Sequence, residues 1–186
     1  MTAWQAATPM VMTAGMTRGI CTILQALALM FLALAAPARA DVTVSFYSHE
    51  FGENFPHAFI VVKGRLAKDG RSIDTNYGFT ATTVSPAILF GSVKGEVQTQ
   101  KPAYIAKSDR QFSVTIEDAA YARLIAKVRE WEARAQPSYN LGKSNCVHFV
   151  MELAEVAGLK VNRKSKFFKK PKSFLLEVKR LNPGLD

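Results

Sequence analysis

Outside its N-terminal leader, this chain has one cysteine and three histidines with which to do nucleophilic chemistry. Cys146 lies in Ser144-Asn145-Cys146-Val147-His148-Phe149, and the histidines are His49, His57 and His148. A thiol attacks only as its thiolate, so it needs electropositive surroundings or an adjacent base. Residues from about Asn145 to Ala157 read as a helix, with Ser144 as N-cap and Gly158 as the stop. That sets Cys146 in the first turn, beside unpaired backbone amides and the positive end of the helix dipole, both of which favour a thiolate. Cys146, Phe149, Val150, Leu153, Ala154 and Ala157 share one apolar stripe. The thiol therefore faces a packed layer, and that layer must supply the base. A lone cysteine on such a stripe is usually a small core hydrophobe, so the choice rests on the histidines.

His148 sits two residues beyond Cys146, about 200° round the helix, on the side of Glu152 and Glu155. It cannot meet the thiol. His49 falls in a loop ahead of a glycine-containing turn. His57 opens the apolar, β-branched strand His57 to Lys63, which would hold an imidazole in one geometry. His57 is the expected base.

The elements that must position this pair come in the order strands, then helices. Val42 to Tyr47 alternates apolar and polar residues with period two. Lys68-Asp69-Gly70 marks a hairpin turn between His57–Lys63 and a returning strand, Ser72 to Phe79. Ser85-Pro86 opens a short helical piece through Phe90. Gly95 to Gln100, Ala103 to Ala106 and Gln111 to Ile116 carry weaker strand patterns. A helix with a capping pattern at Thr115 to Asp118 follows, its apolar face being Tyr121, Leu124, Ile125, Val128 and Trp131, and Pro137 ends it. A last short helix starts near Pro171 and stops before Pro183-Gly184. The expected class is α+β, an antiparallel sheet with two or three packed helices.

Residues 1–40 read as a secretory leader, with an uncleaved membrane anchor as the alternative, rather than as fold. Arg18 precedes an apolar run from Ile20 to Ala36, and Ala38-Arg39-Ala40 supplies the small-x-small site of signal peptidase. Cleavage near Ala40 would make Asp41 the N-terminus and place the protein outside the cytoplasm, secreted or periplasmic. It would also leave no transmembrane helix, the run falling short of the roughly 20 apolar residues that span a bilayer. Cys21 lies in that run without a lipoprotein site after it. The remainder is one domain's worth of chain, expected at residues 41–159, with residues 160–186 as a basic extension. The formal net charge is +9. From Lys160 to Lys172 the bases are Lys160, Arg163, Lys164, Lys166, Lys169, Lys170 and Lys172, with no acid among them. This stretch suits an anionic surface, or it is a solvated linker. No aromatic-rich RNA-binding signature or helix-turn-helix pattern accompanies it, so no nucleic-acid role is expected.

Three segments taken together resemble the circularly permuted branch of the papain-like fold: His57-Ala58-Phe59-Ile60-Val61-Val62, Tyr77-Gly78-Phe79, and Tyr139-Asn140-Leu141-Gly142-Lys143-Ser144-Asn145-Cys146-Val147-His148-Phe149. They are similar to the permuted NlpC/P60 proteins and to PPPDE-type peptidases, in which the histidine strand precedes the cysteine helix. The resemblance covers about Phe55 to Leu159. It implies Cys146 as nucleophile, His57 as general base, and an oxyanion site at the Cys146 amide plus a second donor. It also implies a third polar residue on the neighbouring strand, for which Asp74 and Asn76 are the candidates by placement. No cofactor and no metal are implied. The expected activity is hydrolysis of an amide, cell-wall peptide first, or of an acyl bond. A ubiquitin-like substrate does not suit an exported protein. The alternative is an inactive papain-like binding or scaffold domain of the cell envelope, with Cys146 as core and Lys160 to Lys172 as the working surface.

Overall fold

The computed structural model describes residues 41–50, 55–83 and 85–186. The expected leader and its expected cleavage site therefore lie outside the described residues. Five strands form one antiparallel sheet: β1 (Asp41–His49), β2 (His57–Arg65), β3 (Ser72–Ala81), β4 (Gly95–Gln98) and β5 (Asp109–Ile116), in the spatial order β4-β3-β2-β1-β5. Four helices accompany it: α1 (Pro102–Ala106), α2 (Asp118–Glu132), α3 (Cys146–Val156) and α4 (Pro171–Leu181). A one-turn 3-10 segment, Pro86–Leu89, links β3 to β4. The class is α+β.

Alternation sorts the sheet into two faces. Phe46 pairs with Ile60 and Val44 with Val62. These residues, with Val42 and Ala58, are wholly buried on one face. Against it pack Leu124, Val128 and Trp131 of α2, Phe149, Val150 and Leu153 of α3, and Phe174, Leu175 and Val178 of α4. The opposite face carries Tyr47, Phe59 and Tyr104 as an aromatic cluster.

Four local expectations are corrected here. Ala103 to Ala106 is not a strand but most of α1, because Pro102 at the first helical position presets a helical φ and has no N–H to give a ladder. Thr115 caps nothing: it belongs to β5, opposite Thr43, and ladder pairing runs on through Ile116. The helix starts instead after Glu117, and the Asp118 carboxylate accepts from the backbone N–H groups of Ala67 (3.1 Å) and Lys68 (2.9 Å), tying α2 to the β2–β3 hairpin. The cap of α3 is Asn145 rather than Ser144. Asn145 Oδ1 accepts from the N–H groups of Val147 (2.9 Å) and His148 (3.2 Å), whereas Ser144 is held in a tight turn with Asn140, its hydroxyl receiving Arg134. Finally, residue 159 is not the edge of the fold. Phe174, Leu175 and Val178 are fully buried, each burial contributing about 1.5–3 kcal/mol, and Arg39–Asp186 is one compact unit. Among the described residues no helix is long and apolar enough to cross a membrane.

Candidate active site

The site begins with a change of partner in β3. From Ser72 to Tyr77 β3 pairs with β2; from Gly78 to Ala81 it pairs with β4. The first residues of β2 are thereby left unpaired on that side, and the N-terminus of α3 closes on them. Cys146 is the first residue of α3. The backbone N–H groups of Ala58, Val147 and Cys146 itself act to lower the pKa of its thiol.

These N–H groups do not make a resting thiolate. Cys146 is 5 % exposed, and burial pushes its pKa from 9.0 up to about 11. A rise of that size corresponds to about 3 kcal/mol. A helix terminus typically contributes about 0.3–1 kcal/mol in the opposite sense, so desolvation wins. The expectation of a thiolate favoured by position is corrected accordingly.

His57 is also neutral at rest. Burial first, and the charge of His49 second, hold its pKa down at about 4. Its ring stacks on Phe59 at 5.9 Å, and its Nε2 is buried without a hydrogen-bond partner. In strand alternation His57 belongs with Phe59, on the face opposite α3, and not with Ala58 beneath Cys146. The imidazole is therefore not delivered through the core-facing side, as the helix stripe alone suggested. Both residues line the open end of β2, where a cleft of about 590 Å³ gathers residues from both faces, including His57, Gln100 and Tyr104 from one and Cys146, Tyr139 and Leu141 from the other. Gly78 makes room for the ring: a Cβ there would sit 2.6 Å from His57 Nε2 and 3.1 Å from the Phe59 Cβ.

Both proposed third residues lie on the sheet face of His57, and each is engaged by another partner. Asp74 lies opposite Lys63, well along β3 from Gly78, exposed and ion-paired with Lys63 at 3.4 Å. Asn76 spends both ends of its amide on the backbone of Gln100, giving Nδ2 to the carbonyl (3.2 Å) and accepting from the N–H. That clamp puts the Gln100 side chain beside His57, with Nε2 3.3 Å from the Cβ position of Gly78. The contact of Gln100 with β3 is long-range and invisible to spacing rules. Tyr104 and Tyr139 were also missed. Burial and the nearby thiol push Tyr104 up to about 12 and Tyr139 higher still, so both hydroxyls stay protonated. Either is a hydrogen-bond donor near Cys146.

The other histidines have different work. His49 Nδ1 lies 3.0 Å from Ser108 Oγ, and its ring stacks on Tyr104 at 4.3 Å. His148 Nδ1 lies 3.0 Å from Asn145 Oδ1, and its ring stacks on Phe168 at 4.3 Å. It reinforces the cap of α3 and does not line the cleft. Among the described residues no cluster of three or more His, Cys, Asp or Glu could hold a metal ion.

Comparison with known protein families, with curated proteins and with solved structures returned no match.

Proposed function

We propose that this chain is a thiol hydrolase of the permuted papain-like, NlpC/P60-related architecture, acting outside the cytoplasm with Cys146 as nucleophile and His57 as general base. The supporting observation is the shared cleft: a cysteine at the first position of a helix and a histidine at the first position of a strand line one cavity, and backbone amides around the cysteine favour its thiolate. Because both groups rest neutral, the reaction uses base-assisted attack rather than a standing ion pair. His57 takes the thiol proton as sulfur adds to the substrate carbonyl. The Cys146 N–H and a second donor, Ala58 N–H or a tyrosine hydroxyl, hold the oxyanion. The imidazolium then protonates the leaving group, and water completes the hydrolysis of the acyl-enzyme. Phe55, Ile88, Leu89, Tyr139 and Phe168 make the cleft walls largely apolar. They suit an acyl chain or a peptide with apolar side chains.

Turnover of muropeptides and of acyl esters tests this reading. Cys146→Ser and His57→Ala each abolish hydrolysis while the fold persists, loss of a base costing on the order of 10²–10⁴ in rate; His148→Ala keeps turnover. Absence of turnover on both classes favours the second reading, a binding domain. The buried thiol at about 11 is the observation behind that alternative.

A further inference from the structure

Among the described residues four large apolar side chains are exposed: Phe55 (63 %), Leu89 (71 %), Phe90 (87 %) and, on α4, Leu176 (46 %). The first three are not scattered. Phe55 and Leu89 line the cleft from opposite sequence neighbourhoods, and Phe90 caps the 3-10 turn that carries Leu89. The same cleft is bordered by Phe168 and Lys169, which belong to the acid-free basic run. Within that run Arg163 pairs with Glu155 and Lys172 with Asp109. Lys164, Lys166, Lys169 and Lys170 are exposed and enter no ion pair among the described residues.

We propose that this rim is a docking surface for an anionic lipid bilayer, with Phe55, Leu89 and Phe90 entering the headgroup–acyl boundary and Lys166, Lys169 and Lys170 meeting the lipid charges. Aromatic and leucine side chains beside lysines are the chemistry of interfacial membrane attachment. Basic side chains near an anionic surface contribute roughly equal, additive increments, while apolar ones supply the insertion. A second copy of the chain is a poor occupant, because it would bring the same uncompensated positive charge to the contact. Docked this way, the cleft opens onto the membrane rather than onto bulk water. The attachment does not depend on turnover.

The test is sedimentation of the chain lacking its first forty residues, carrying Cys146→Ser, with phosphatidylglycerol-containing or pure phosphatidylcholine vesicles. The truncation is sound because the buried core runs from Val42 to Val178. The expected result is binding to the anionic vesicles, weakened by salt, and little to the zwitterionic ones. Lys169→Ala with Lys170→Ala weakens binding about twenty-fivefold, at about fivefold per lysine. Leu89→Asp with Phe90→Asp, at exposed positions that leave the core intact, weakens it at least as much. A Phe90→Trp variant shows a blue-shifted emission on the vesicles. The proposal is overturned if neither vesicle sediments the protein. It is equally overturned if the Leu89/Phe90 variant binds unchanged, or if soluble polyglutamate shifts the Phe90→Trp emission as the vesicles do, since the surface is then a reader of anionic polymers.

Discussion

Acidification should destabilise this domain through His57. In the fold the imidazole is desolvated and holds its proton only below about 4; in the unfolded chain it titrates near 6.5. Between those values the unfolded state binds more protons than the native state. Stability therefore rises with pH across that window and falls as pH drops from about 7 to about 4. The full loss is about 3 kcal/mol, a large share of the 5–15 kcal/mol that holds an ordinary domain together. Below about 4 this contribution is flat. The assay is urea unfolding of the Cys146→Ser domain at a series of pH values, alongside the same series on Cys146→Ser/His57→Gln, which cannot take the charge. The difference between the two series isolates His57 from the carboxylates that also titrate. Imidazole resonances followed by NMR give the His57 value directly. Titration of His57 near 6.5 or above, or parallel pH profiles for the two proteins, would refute the reasoning. With Cys146 restored, titration above 7 would mean that the site rests as a thiolate–imidazolium pair.

Gly78→Ala should push the His57 ring, since the new Cβ falls 2.6 Å from Nε2; a stability loss of about 1–3 kcal/mol and a drop in turnover are expected from denaturation and kinetic measurements. Asn145→Ala should cost about 2 kcal/mol or more in urea unfolding. It removes the α3 cap and also two bonds from Nδ2, to the carbonyls of Leu141 (2.7 Å) and Phe168 (2.8 Å). Leu175→Ala should cost about 2–5 kcal/mol, because α4 is core; a loss under 1 kcal/mol would restore the picture of a dispensable extension.

The sheet was largely legible from local pattern. Alternation located β1, the β-branched run located β2, and Pro171 located the start of α4. The cysteine helix was legible too, but not its cap: Ser144 and Asn145 are both good caps in isolation, and only the Asn140 turn removes Ser144 from contention. The faces were harder. Alternation separates His57 from Ala58 in any strand, but the stripe on α3 points only towards the sheet, not to the open end where two faces share one cavity. Ionisation was the least legible. A helix N-terminus is a sequence feature, whereas the depth of burial that overrides it at Cys146 is a property of the whole fold. Asp74 and Asn76 followed from being on the strand beside the histidine. What occupies them, Lys63 and the backbone of Gln100, comes from register and from a loop some two dozen residues away.

The exchange of partners along β3 divides the sheet like an open book. One leaf holds β2, β1 and β5, backed by α3 and α4, and it carries the thiol with its ring of amides. The other leaf is only four residue pairs deep, Gly78–Ala81 against Gly95–Gln98, and it holds the wall around Ile88 and Leu89. On the proposed reading, reaction chemistry and substrate accommodation fall to different pages joined at one spine. A lineage that lengthens, shortens or rewrites the thin leaf changes what the cleft admits, while the thick leaf goes on presenting the same sulfur to the same amides.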